Sequence, residues 1–221
     1  GDDITIEGSQ VPVRFWHMGP IHSKSDSVIL LPESKVCYTG DLLFINIAPV
    51  MWSGPAVTWV KALDDLVEAT GEDWLFVPGH GPVTDLRGVR RVREFFSYLH
   101  EAVSRCRDLA DPEADEPCAL QVFNGMPKDL KESFHEPYRI MIGAVIERAA
   151  RRAGGPAKVD IKFKLQWIGK MSGRLRMGLP GLDWRTGAFC FLRRARAETE
   201  LGERHKSHPS RAVSLTALSR M

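Results

Sequence analysis

The chain has 221 residues, is 43% hydrophobic and carries a formal net charge of +2 at pH 7. That is enough apolar mass for one good core and excludes a charge-rich disordered chain. No apolar run approaches the roughly 18 residues of a membrane helix, and no basic-then-apolar leader pattern opens the sequence.

The near-neutral total hides an asymmetry. Residues 156–221 hold 14 of the 30 Lys and Arg but only 5 of the 28 Asp and Glu, so the body is acidic and the tail basic. The chain starts at Gly1 without Met and enters strand-like sequence at once, which leads us to expect a piece of a longer protein. A cytoplasmic location is then no more than a default.

In chain order, Ile4 to Ile6 and Val11 to Trp16 are β-type runs flanking Gly8 and predict a hairpin or two neighbouring strands. Ser27 to Leu31 and Val36 to Tyr38 predict two more, joined by the turn-forming Pro32-Glu33-Ser34-Lys35. After a loop over 49–55, Val57, Val60, Leu63, Leu66 and Val67 share one side of a helix, with Lys61, Asp64, Asp65 and Glu68 on the other. Trp74 to Val77 is wholly apolar and predicts a short strand buried on both faces, ending at Pro78-Gly79-His80-Gly81-Pro82.

Asp85 is a natural N-cap for a long amphipathic helix marked by Val89, Val92, Phe96, Leu99, Val103 and Cys106 and running to Ala110. The polar stretch from Asp111 to Pro117 breaks it. Tyr138 to Arg152 predicts another helix, stopped at Gly154-Gly155-Pro156. We place a domain boundary there, with a domain over 1–155 and a basic extension over 156–221. Within the extension, Val159 to Trp167 alternates as a half-exposed strand does. Cys37, Cys106, Cys118 and Cys190 show no metal-site spacing and read as reduced thiols, with Cys37 buried and inert.

His22, Asp41 and His80 share a placement: each falls at a predicted strand end or in the adjoining loop. Strands of one sheet that end along one edge bring such residues together despite long sequence separations. Imidazole nitrogen and carboxylate oxygen are ligands for Zn(II), Fe(II) or Mn(II), and a carboxylate can bridge two cations. Asp41 is the natural bridge. His17 reads as a packing residue, Trp59 as core, and His100 and His135 as solvated. Lys24 and Ser25 read as a solvated loop.

GPIHSKSDSVILLP, VCYTGDLLF and FVPGHGPVTD, taken together over residues 11–95, resemble the second half of the metallo-β-lactamase-fold hydrolases, in the branch similar to glyoxalase II. The resemblance implies an α/β fold, the second βα half of an αββα sandwich. It implies His22 and His80 as metal ligands, Asp41 as the bridging ligand at the catalytic centre, and Asp26 as a residue holding His22 through its free ring nitrogen. Met51 and Trp52 match a loop that often lines the substrate pocket.

The implied activity is hydrolysis of an ester, thioester or lactone-like bond in a small-molecule substrate by hydroxide on one or two zinc ions, with iron or manganese as substitutes. The family's HxHxDH motif is absent from all 221 residues, so the metal site is incomplete here. A half-domain would also expose an apolar face and self-associate. Two alternatives stand beside this reading: a catalytically inactive interaction module, and a nucleic-acid-binding or processing relative acting through the basic tail.

Overall fold

Alternating apolar residues in the first eighty positions build one sheet. In the computed structural model, which describes residues 3–6, 11–52 and 55–155, strands β1 (Asp3–Ile6), β2 (Val13–Gly19), β3 (Asp26–Leu31), β4 (Val36–Phe44) and β5 (Leu75–His80) lie in the order β1-β2-β3-β4-β5. The first four form an antiparallel meander, and β5 joins β4 in parallel. A parallel partner needs a crossover, which helix α1 (Ala56–Ala69) supplies.

Register fixes which residues share a face. Leu30, Cys37 and Phe76 stand in one row across β3, β4 and β5. All three are at most 1% exposed, because the helices cover that side. The neighbouring row, Phe15, Ile29, Tyr38 and Val77, points the other way and continues to Ile4 on β1. Leu31, Val36 and Leu75 extend the same apolar face. Here Ile4 is 63%, Leu75 50% and Tyr38 46% exposed.

The expectation that β5 is buried on both faces is therefore corrected. Its sequence is apolar on both sides, but among the described residues only the Phe76 side is covered. The sheet and its helices form two layers, the βα arrangement expected from the sequence.

The helical layer is tightly interlocked. α1 buries Trp59, Ala62, Leu63 and Leu66, and α2 (Leu86–Ser104) buries Val89, Val92, Phe95, Phe96 and Leu99. Trp59 stacks on Phe96 with ring centroids 4.1 Å apart and donates its indole N–H to the Leu42 carbonyl at 2.9 Å. Val57, assigned to the apolar stripe, is instead 47% exposed, since Trp59 and Ala62 rotate the buried side of α1 away from it.

Asp85 caps α2 as expected, accepting from the Arg87 amide. The helix stops at Ser104 rather than Ala110, and the supposed break over 111–117 already contains a 3-10 turn (Pro112–Ala114) and the start of α3 (Asp115–Gly125). Arg148 explains the early stop. It is fully buried on α5 (Pro137–Ala153), donates to the carbonyls of Arg107, Asp108 and Asp111, and pairs with the buried Asp115 at 2.7 Å. These carbonyls find a cation where a helix would have given them amides.

The expectation of reduced thiols is also corrected. Cys106 and Cys118 form a disulfide, with Cα atoms 5.7 Å apart, tying the end of α2 to α3. Cys37 is free and buried, and burial pushes its thiol up to about 12.

A short helix, α4 (Lys128–Glu132), leads to α5, which ends at Gly154 in the left-handed region (φ 69°), as the sequence signals. His100 departs from its solvated assignment: its Nδ1 lies 2.8 Å from the buried Glu147 carboxylate, which also accepts from Arg151 and from the Ala56 amide at the start of α1. No described helix is long and apolar enough to cross a membrane. The strand expected over 159–167, Cys190 and the basic extension lie outside the described residues.

Candidate metal centre

The three side chains singled out from the sequence meet at one rim of the sheet. His22 lies in the loop between β2 and β3, Asp41 within β4, and His80 at the end of β5. His22 Nε2 is 3.3 Å from Asp41 Oδ2, and His80 Nε2 is 3.4 Å from Asp41 Oδ1. One carboxylate thus stands between two imidazoles and presents a different oxygen to each.

An irregularity in the β4–β5 ladder makes this possible. Tyr38 pairs with Val77, Gly40 with Pro78 and Phe44 with His80, so β4 spends four residues where β5 spends two. The extra length bulges outward at Asp41, a device that re-aims a side chain from a strand. Phe44 then returns to register and is buried. Its ring stacks on His80 with centroids 4.6 Å apart and tilts against His22 at 5.6 Å. Phe44 is a floor under both imidazoles that sequence reasoning missed, because only the irregular register brings it opposite His80.

His22 is the more enclosed imidazole, 11% exposed against 45% for His80 and 41% for Asp41. Trp59 stands edge-on to it at 5.8 Å, and Trp52 edge-on at 6.4 Å. Burial lowers the His22 pKa, and the Asp41 and Asp26 carboxylates oppose that shift only in part. A neutral imidazole keeps an Nε2 lone pair for a cation. Its Nδ1 is buried without a hydrogen bond of good geometry, though the Val50 backbone is near enough to favour the protonated ring slightly.

Asp26 does not make the expected ring contact. Its carboxylate accepts from the Ile21 amide at 2.8 Å, the Ser23 amide at 2.9 Å and the Ser23 hydroxyl at 2.8 Å. It clamps the backbone on either side of His22 and so fixes the residue rather than the ring. Lys24 and Ser25 are exposed in that loop, as expected. His17 pairs across the sheet with Ser27, its Nδ1 3.5 Å from the hydroxyl.

Of the two residues assigned to a pocket, Trp52 borders His22. Met51 is 1% exposed and belongs to the core, packed towards Gly143 of α5. The loop is pinned on both sides of them, by the Ala48 amide on the His135 carbonyl and the Ala56 amide on Glu147.

The donors suit a borderline divalent cation in type but not in number. Each side of Asp41 offers one nitrogen and one oxygen, against the three or four protein ligands of a zinc site. Among the described residues, no group of three or more His, Cys, Asp or Glu is arranged to hold a single ion.

No family model and no curated protein matches the chain. Solved structures do. A metallo-β-lactamase from Pontibacter korlensis is 20% identical, with 44% of this chain and 46% of that one covered and a TM-score of 0.40. The DIM-1 metallo-β-lactamase is 17% identical, with 44% and 46% covered and a TM-score of 0.39. The chain spans less than half the length of each of these structures.

Proposed function

We propose that this chain supplies one half of a metal-dependent hydrolase centre, with His22 on one cation, His80 on a second, and Asp41 shared between them. The observation that carries the reading is the placement of Asp41, one oxygen toward each imidazole, in a partly exposed rim. The motif resemblance to the glyoxalase II-like hydrolases points to the same class, and to an ester, thioester or lactone-like bond in a small molecule.

A divalent cation bound there would polarise the scissile carbonyl and lower the pKa of water, in the manner of hydrolytic zinc sites. The protein's own part is to hold the ligands ready. Asp26 clamps the His22 backbone, Phe44 supports both rings, and burial keeps His22 neutral. Trp52 offers an apolar edge beside His22 for the non-reacting part of a substrate.

The remaining ligands have to come from residues outside the described set. The open sheet face indicates how: a second β-layer packed on Phe15, Ile29, Tyr38 and Val77 would cover that apolar row and bring its own rim to Asp41. This chain is then a fragment of the full enzyme. Without that layer, the face self-associates.

Calorimetric titration with zinc tests the reading. Wild-type protein should bind zinc measurably, and the H22A/H80A double variant at least tenfold more weakly. Equal binding by the two would overturn the assignment.

The second reading, a catalytically inactive interaction module, is favoured by the shortfall of ligands together with the open apolar face. It predicts no heat of zinc binding from the wild type. The nucleic-acid alternative depends on a tail outside the described residues.

A further inference from the structure

His80 is bracketed by glycines, and the two serve different ends. Gly81 has φ 92°, a conformation L side chains rarely adopt, and a Cβ there would overlap the Ile45 carbonyl oxygen. It lets the chain turn away after the His80 carbonyl accepts from the Ile45 amide at 2.9 Å. Gly79 has no such backbone need, since its φ is not positive. Its constraint is space alone.

A Cβ built on Gly79 would overlap Asp41 Oδ1, the oxygen that faces His80, and would lie 2.7 Å from the Gly40 carbonyl carbon and 2.9 Å from the Asp41 amide nitrogen. We infer that Gly79 is a positioning residue for the metal centre: its missing side chain is the space in which the Asp41 carboxylate turns one oxygen to His80 while keeping the other on His22. This rests on the reading of His22, Asp41 and His80 as ligands for its consequence in metal binding, but not for its geometry.

The physical sequence is short. The β4 bulge pushes Asp41 over β5, where a side chain at position 79 would ordinarily stand. With hydrogen there instead, Oδ1 of the carboxylate occupies that space. With a methyl group, Oδ1 and the backbone at 40–41 both have to move, and a displaced carboxylate cannot address two imidazoles on opposite sides. Misplaced ligand-orienting groups commonly weaken metal binding 10- to 100-fold.

Gly88 supplies a control for a crowded glycine away from the site. A Cβ there would overlap the Thr84 hydroxyl oxygen and lie 2.7 Å from Thr84 Cγ2, a clash within the first turn of α2 that is confined to one side chain and does not touch the site. The experiment compares wild type, G79A, G88A and D41A by long-range proton–nitrogen NMR of the histidine rings without metal, then by zinc titration.

The inference predicts that in G79A the ring signals of His22 and His80 move towards those of D41A, while in G88A they stay at wild-type positions. It predicts zinc affinity at least tenfold weaker in G79A and unchanged in G88A. Wild-type ring signals in G79A would overturn it. Absent zinc binding by the wild type would overturn the proposed function instead, leaving the ring signals to decide the role of Gly79. Should G79A fail to fold, the D41A/G79A double variant decides. Recovery of the fold supports a clash with the carboxylate, and continued failure overturns the inference in favour of plain strand packing.

Discussion

The two faces of the sheet are equally apolar in sequence and differ in fate. On one, Leu30, Cys37 and Phe76 are sealed under α1 and α2; on the other, Tyr38 and Leu75, one residue along the same strands, stand about half exposed. Strands with polar outer faces can rest in water, but these strands carry apolar residues on both sides, as strands do when layers cover both. Under the proposed function, the face left open among the described residues and the shortfall of ligands at Asp41 belong together, because one further β-layer would complete both.

Several variants can break or sharpen this contrast. Among the helices behind the sealed face, R148A should cost the most. Removing a buried cation leaves three carbonyls without their partner and Asp115 with Arg152 alone, at about 3–5 kcal/mol. F76A should cost a similar or slightly smaller amount through the cavity it leaves, about 3–5 kcal/mol. Urea denaturation measures both; a cost below about 1 kcal/mol for F76A would deny that the sealed side is a packed core, and one for R148A would deny that its carbonyl contacts are buried.

The disulfide comes next. C106S/C118S should lose about 2–4 kcal/mol, read by the same unfolding curves, since the cross-link restricts the unfolded chain.

Cys37 gives a pH signature of the sealed side. Its thiol is raised from 9.0 to about 12 in the folded protein, so between those values the unfolded chain releases a proton that the native one keeps. Stability from this group is present below pH 9 and declines as pH rises towards 12. C37A should remove that part of the alkaline fall in Tm. An unchanged alkaline profile would show the thiol to be accessible.

The smallest stability effect belongs to the open face. Y38S and L75S should each change stability by about 0.5 kcal/mol or less. Together they should shift the protein from associated species to monomer in size-exclusion chromatography. A large loss of stability with unchanged association would mean that the face is already covered.

Much of the architecture was legible. Alternation at β1 to β4, the stripe of α2, the Asp85 cap and the Gly154 stop are local signals, and local physics decided them. The meeting of His22, Asp41 and His80 was legible because each falls at or beside a strand end expected from the sequence, although β4 in fact runs on through Asp41 and a bulge in its ladder to β5 does the rest.

What was hidden depended on partners far along the chain. α3 carries two buried acids in its first turn, Asp115 and Glu116, and nothing nearby in sequence announces the Arg148 that pairs with Asp115. The disulfide joins α3 to the turn that ends α2, where Arg148 gathers the Arg107 and Asp108 carbonyls. Asp26 was correctly associated with His22, but its carboxylate bonds backbone amides, and amides leave no mark in a sequence pattern. Likewise β5 announces apolar residues on both faces without saying what covers them. Phe44 lay in plain view within GDLLF, and only the bulge shows that it returns beneath both imidazoles.

The central claim is that Asp41 stands between His22 and His80 as a shared ligand. Crystals of the protein grown with excess zinc, measured at the zinc absorption edge, test it directly. The account predicts anomalous density beside Asp41, within about 2.0–2.2 Å of a His22 or His80 nitrogen and of a carboxylate oxygen. Zinc density confined to other parts of the surface, with the Asp41 carboxylate bare, would contradict it.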